Sequence, residues 1–228
     1  MNTLPDYLSF AQAHPALFVN PPGGFTILLN EGEIREVEAQ MVKRLKVKKL
    51  PTEWAQIGIV YQDQYGLILR DAVQFPSGAL GTYIRFVSNA DGGFGVIVLP
   101  LYQRQVLLIR RFRHATRTWH LEIPLGTGMK RLSPEEIARR ELTQEIGATV
   151  SRLVSLGQLD SSGPGMASSS TKLFYAEIES YGNVDMRAGI IELLLVTVPE
   201  FEHMISMSEI TDSFTIIAYT YAKLQGLF

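Results

Sequence analysis

GTGMKRLSPEEIARRELTQEIGA, residues Gly126 to Ala148, is the stretch whose reading decides the fold. Ser133-Pro134-Glu135-Glu136 is a helix start: Ser133 can cap, Pro134 suits the first helical position, and Glu136 completes a capping box. Gly147 suits the C-terminal stop, so the spacing predicts a helix over Pro134–Ile146. Ala138, Leu142 and Ile146 form its apolar stripe. Glu141 and Glu145 are four apart and stack on another face, with Gln144 beside them. Two ionised carboxylates at that spacing repel. A bound Mg²⁺ or Mn²⁺ relieves the repulsion, since such ions prefer oxygen ligands. A solvated acidic face with Arg139 and Arg140 as neighbours is the other account, and the helix alone leaves both open.

Upstream, short strands are expected at Ile57–Tyr61, Tyr65–Val73, Thr82–Val87, Phe94–Leu101 and Gln105–Arg111. Turn signals stand at Pro76-Ser77-Gly78 and Asp91-Gly92-Gly93, and a loop leads from the last strand to the helix. Downstream, strands are expected near Leu153–Leu159, Lys172–Ile178 and Glu192–Val198, then helices at Pro199–Met207 and Asp212–Leu224. Before all of these, Glu31–Leu50 has helical spacing and a basic end, a cation-rich terminus suited to the helix dipole. Strands mixed with a few helices, without strict alternation, give an α+β (mixed α/β) class. The segments divide into an N-terminal extension (1–50), an antiparallel β subdomain (51–92) and a main domain (93–228).

The stretch from Gly126 to Ala148 resembles the Nudix box, G-x5-E-x7-R-E-U-x-E-E-x-G-U, with Gly126, Arg140, Glu141, Leu142, Glu145 and Gly147 in register. Leu107 to Gly126, LLIRRFRHATRTWHLEIPLG, is similar to the LLVRQYR…WxLELPAG of ADP-ribose pyrophosphatases. Pro164-Gly165 with Leu173-Phe174, and SEITDSFTIIA (Ser208–Ala218), resemble later segments of that group. The resemblance implies a Nudix fold, a mixed sheet between helices. It also implies hydrolysis of a nucleoside diphosphate linked to another moiety, with Mg²⁺ or Mn²⁺ as cofactor. By resemblance, Glu141, Glu145 and the backbone carbonyl of Leu125 are metal ligands, and Arg140 orients the glutamates. Gln144 takes the place of a catalytic glutamate. Arg113, Glu122 and Arg111 are the implied substrate contacts. A homodimer formed through the antiparallel sheet is also implied.

Three positions depart from the pattern. Leu132 stands for the first glutamate of the box, Gln144 for the first of the paired glutamates, and Ser169 for an acidic residue of the loop after Pro164-Gly165. A serine hydroxyl is a poor base near neutral pH, and Asp160 and Glu177 are the acidic residues flanking that loop. The alternative function is a module that binds ADP-ribose or a related nucleotide without turnover.

Composition narrows the field further. A formal charge of −2 gives no global pull onto nucleic acid or an anionic membrane. The absence of cysteine excludes disulfides, thiolate zinc sites and cysteine nucleophiles. The longest apolar runs are far short of a membrane span, and MNTLPDYLSF lacks the pattern of a secretory signal. A cytoplasmic setting is therefore expected.

Overall fold

The structure, a computed structural model, describes residues 4–88, 94–129, 131–161 and 169–228. The described residues form two units, 4–88 and the remainder. The Asp91-Gly92-Gly93 turn and the segment Pro164-Gly165 to Ser168 lie outside the described residues.

The first unit contains α1 (Leu4–Ala13), β1 (Thr26–Ile27), α2 (Glu31–Val47), β2 (Gly58–Gln62), β3 (Gly66–Gln74) and β4 (Leu80–Ser88). Asn30 caps α2 by accepting from the Gly32 and Glu33 amides. The helix ends three residues before the expected Leu50, where Lys49 takes a left-handed φ of 56°. Strand β3 pairs with β4 along its length and with β1 and β2 on its other side, all antiparallel. Tyr7, Ile34 and Val37 from the helices share one core with Ile57, Leu67 and Leu69. Buried Asp71 accepts from Tyr7 Oη at 2.7 Å and from Arg85 Nε at 2.5 Å, which pins α1 to the sheet.

The second unit runs β5 (Phe94–Tyr102), β6 (Gln105–Arg113), β7 (Thr118–Glu122), β8 (Leu125–Thr127), α3 (Pro134–Ile146), β9 (Thr149–Ser161), β10 (Ser169–Ser180), β11 (Ile190–Val196), α4 (Val198–Ser206) and α5 (Ser213–Leu224). The strand order is β11-β6-β5-β10-β9, with β5 and β10 parallel and the other pairs antiparallel. Alternation sends Val96, Val98, Leu107 and Ile109 to the face covered by α3. Ile97, Leu99, Val106 and Leu108 go to the face covered by α4 and α5. A sheet buried on both faces explains why β5 and β6 read as continuous apolar runs. This is the α+β architecture with a mixed sheet between helices and a preceding antiparallel sheet.

Strands β5 and β6 pair only beside their hairpin, at Leu101↔Val106 and Tyr102↔Gln105. Beyond it they splay, and the segment expected as a loop enters the fork as two short strands. Strand β7 pairs with β6, and β8 pairs with β5. Pro124 marks the crossing, its carbonyl accepting from Val98 N–H at 3.1 Å.

Candidate active site

Helix α3 has the bounds its capping signals predict. Ser133 Oγ accepts from Glu136 N–H, Glu136 returns the bond, and Gly147 sits at φ 62°. The stripe of Ile137, Ala138, Leu142 and Ile146 is fully buried against the sheet. That orientation turns Glu141 and Glu145 toward the fork, beside β8. A Cβ on Gly126 would overlap the Glu141 carboxylate, so the glycine is what lets the helix side chain lie against the strand.

Glu145 is 7% exposed. One of its oxygens receives a hydrogen bond from Arg111, itself 4% exposed, and the other, Oε2, is buried with no partner. Burial pushes the Glu145 carboxyl up to about 7, against the pull of Arg111 and of the Leu125 backbone amide. Burial also raises Glu141, opposed by Arg140 and Arg111. The Arg111 guanidinium reaches Glu122 as well, at 3.3 Å. Glu122 is 1% exposed and takes a two-pronged contact from Arg113, at 2.9 and 2.5 Å. Burial raises the Glu122 carboxyl, with the two arginines opposing. Arg111, Arg113 and Glu122 all face α3, as alternation along β6 predicts.

The backbone of β8 adds a further group. Val98 N–H bonds to Pro124, and Gly128 N–H bonds to Phe94. Antiparallel alternation therefore turns the N–H and carbonyl of Leu125 away from β5. The amide there faces Glu145, so the Leu125 carbonyl is on the same side.

Among the departures from the box pattern, Leu132 packs into the apolar cluster under α3, and Gln144 is exposed. Ser169 opens β10 opposite Ser161. Asp160, level with Phe94 at the box end of the sheet, is exposed and accepts from Gln158 at 2.6 Å. Glu177 is not near the box. It is level with Leu101, five residues along from Val96, or about 16 Å, and it pairs with Arg152 at 2.8 Å.

Sequence reasoning did not single out Thr215. It is fully buried, accepts from Ile123 N–H at 3.1 Å, and donates to Asp212 at 2.7 Å. It ties the start of α5 to the β7–β8 crossing, between Glu122 and Leu125. The signals were a threonine three residues after a capping aspartate and its place in the family-like segment Ser208–Ala218.

Among the described residues no cluster of three or more His, Asp or Glu side chains is arranged around a single point. The two glutamates, with an unpartnered buried oxygen on one and a carbonyl beside them, suit one hard cation better than several. No described helix is long and apolar enough to cross a membrane.

The chain is 28% identical over 157 residues to the ADP-ribose pyrophosphatase of Bacillus subtilis (strain 168), covering 67% of this chain and 82% of that protein. It is 27% identical over 190 residues to the methanol dehydrogenase activator of Bacillus methanolicus, covering 81% of this chain and 97% of that protein. The crystal structure of an ADP compounds hydrolase superposes with a TM-score of 0.66 at 18% identity. It covers 75% of this chain and 93% of the other, a likeness of fold alone. The profile of the NUDIX domain matches residues 93–207, about half the chain, from β5 through α4. With the box helix, the forked sheet and this match in agreement, the chain belongs to the NUDIX domain family.

Proposed function

We propose that the protein is a Mg²⁺- or Mn²⁺-dependent hydrolase that cuts the diphosphate of a nucleoside diphosphate joined to another moiety, ADP-ribose or a nucleotide sugar. The observation that carries this reading is the pair of carboxylates at the mouth of the fork, half-buried Glu141 and buried Glu145, the latter with an unpartnered oxygen. Glu141, Glu145 and the Leu125 carbonyl would hold the cation, and exposed Gln144 would offer one neutral oxygen at its margin. Bound there, the cation supplies charge neutralisation to the phosphate oxygens. Half-exposed Arg113, held by Glu122, orients the diphosphate, and buried Arg111 holds Glu145 and Glu122 behind it. Water adds to one phosphorus, the bridging P–O bond breaks, and two monophosphates leave.

A second reading, a nucleotide-binding module without turnover, draws support from Leu132, Gln144 and Ser169. One screen separates the two. The protein is incubated with Mg²⁺ or Mn²⁺ and ADP-ribose, nucleotide sugars or dinucleoside polyphosphates, with Glu145→Gln as control. Metal-dependent monophosphate release that the control loses is the expected result. Tight binding of ADP-ribose without release in any arm would favour the second reading.

The homodimer belongs to the same proposal. In the first unit, β4 has one strand neighbour among the described residues, and Val60, Tyr61 and Phe86 are exposed. The open edge of β4, with Phe86 exposed on it, fits a second copy of the chain.

A further inference from the structure

The cluster at the fork already contains a cation. Counted with every group ionised, Arg111, Arg113, Glu122, Glu141 and Glu145 sum to one net negative charge, and Arg111 faces all three glutamates. It is the more deeply buried of the two arginines, at 5% side-chain exposure against 34% for Arg113. Its guanidinium touches two different glutamates on two elements, Glu122 on β7 and Glu145 on α3, while its Nε has no partner. The pyrophosphatase pattern that Leu107–Gly126 resembles has glutamine where Arg111 stands, and glutamates where Leu132 and Gln144 stand. The differences at Arg111 and Gln144 move the site's charge in the positive direction, while Leu132 has left the site for the apolar cluster.

We propose that Arg111 is a resident cation of the metal site: it holds Glu145 and competes with a divalent ion for that carboxylate, so that the site loads a single ion at low affinity. This inference rests on the metal reading given above and goes beyond it by assigning the residue that sets the loading threshold. The argument is electrostatic. An ion bound through Oε2 of Glu145 would share one carboxyl group with a guanidinium on the other oxygen. Two cations on one carboxylate repel strongly in a site shielded from water. The ion can bind only by weakening the Arg111 contact, or by accepting that repulsion. Arg111 is a positioning residue in this account. It acts through Glu145, and its own unpartnered Nε leaves room for the guanidinium to turn once the contact weakens.

The test is Mn²⁺ titration by calorimetry on the full chain, with Arg111→Gln, Arg111→Lys and Glu145→Ala. Arg111→Gln should bind Mn²⁺ at least about tenfold more tightly than wild type, the change expected from deleting one buried unit charge beside the ligand. Arg111→Lys keeps the charge and should stay near wild type. Glu145→Ala should lose the site. A purely structural Arg111 would give the opposite sign, with affinity falling as the site loosens. Unchanged or weaker binding in Arg111→Gln, or equal tightening in Arg111→Lys, would overturn the inference while leaving the metal reading intact. No Mn²⁺ binding to wild type or Arg111→Gln at millimolar metal would remove both. Should Arg111→Gln fail to fold, the wild-type protein carries the test. The Arg111 Nε–H resonance of ¹⁵N-arginine-labelled protein should shift on Mg²⁺ saturation, and a resonance that stays fixed while metal binds sinks the idea.

Discussion

At the scale of single residues, Glu145 and Glu141 were legible because four-residue spacing forces them onto one helix face. What the sequence did not carry was how differently they are surrounded. Arg111 and Arg113 share a face by alternation, but nothing in the string LLIRRFR shows that the first is buried and the second half-exposed. Both lie beside β7, but Arg111 also reaches Glu145 on α3, while Arg113 reaches Glu122 alone. A pH prediction follows for the metal-free protein. Glu145 is raised above its unfolded value, so its protonated form is favoured by folding. Its stabilising contribution is fully present below about 4.5 and is lost as pH rises through about 7. Thermal unfolding should therefore show stability rising as pH falls from about 8 toward 6, and Glu145→Gln should flatten that portion of the curve. A curve unchanged by Glu145→Gln would show that other groups govern it. Gly126→Ala tests the close approach. The clashing atoms belong to the Glu141 side chain, from Cγ to the carboxylate, and not to backbone, so the fold should lose about 1 kcal/mol, while Glu141 is pushed aside and Mn²⁺ affinity drops.

At the scale of elements, α3 was legible to the residue because its ends carry their own chemistry. Capping box, proline and glycine each act locally, and no tertiary contact has to be known. Ser133→Ala should lower stability by about 1 kcal/mol in a denaturant titration, the usual cost of a lost cap. The strands β7 and β8 were read as loop for the opposite reason. They are five and three residues long, and their partners are the two arms of a fork that no local pattern announces. The departures from the box also differ as elements of the fold. Leu132 has joined the apolar cluster under the helix, so a glutamate there would disturb packing as well as charge. Gln144 is exposed, so Gln144→Glu is the clean substitution. It should leave the melting temperature within about 2 °C and tighten Mn²⁺ binding. If the protein is a slow hydrolase limited by missing charge, turnover rises with it. If turnover stays at background, the missing acidic group at Ser169 is the remaining limit, and the double variant with Ser169→Glu decides between a repairable enzyme and a binding module.

At the scale of the whole molecule, the antiparallel strands of the first unit were predicted from alternation and turn residues. Residues 1–50 before them read as a separate extension, because the contacts that tie them to the strands, such as Tyr7 with Asp71, join residues 64 apart. Only the folded chain shows that the basic helix and the strands share a core. The dimer proposed for this unit should appear as twice the chain mass, about 51 kDa for two copies of 25.5 kDa, by light scattering at micromolar concentration. A strict monomer there would end that proposal. Phe86→Asp should shift the population toward monomer without unfolding the unit, since the ring is 42% exposed.

The parallel pairing of β5 with β10 also governs how the protein is made. Phe94 to Tyr102, FGVIVLPLY, acquires its parallel neighbour only when Ser170–Ile178 arrives, 76 residues later. Until then an apolar, β-prone strand has an open edge, the condition under which chains recruit one another instead of themselves. Helix α3 and strand β9 lie in that interval, so substitutions that slow them prolong the exposure. Their first symptom in a producing cell would be insoluble protein rather than lost activity. Lower expression temperature should recover such variants in the soluble fraction, with the active-site chemistry still to be measured.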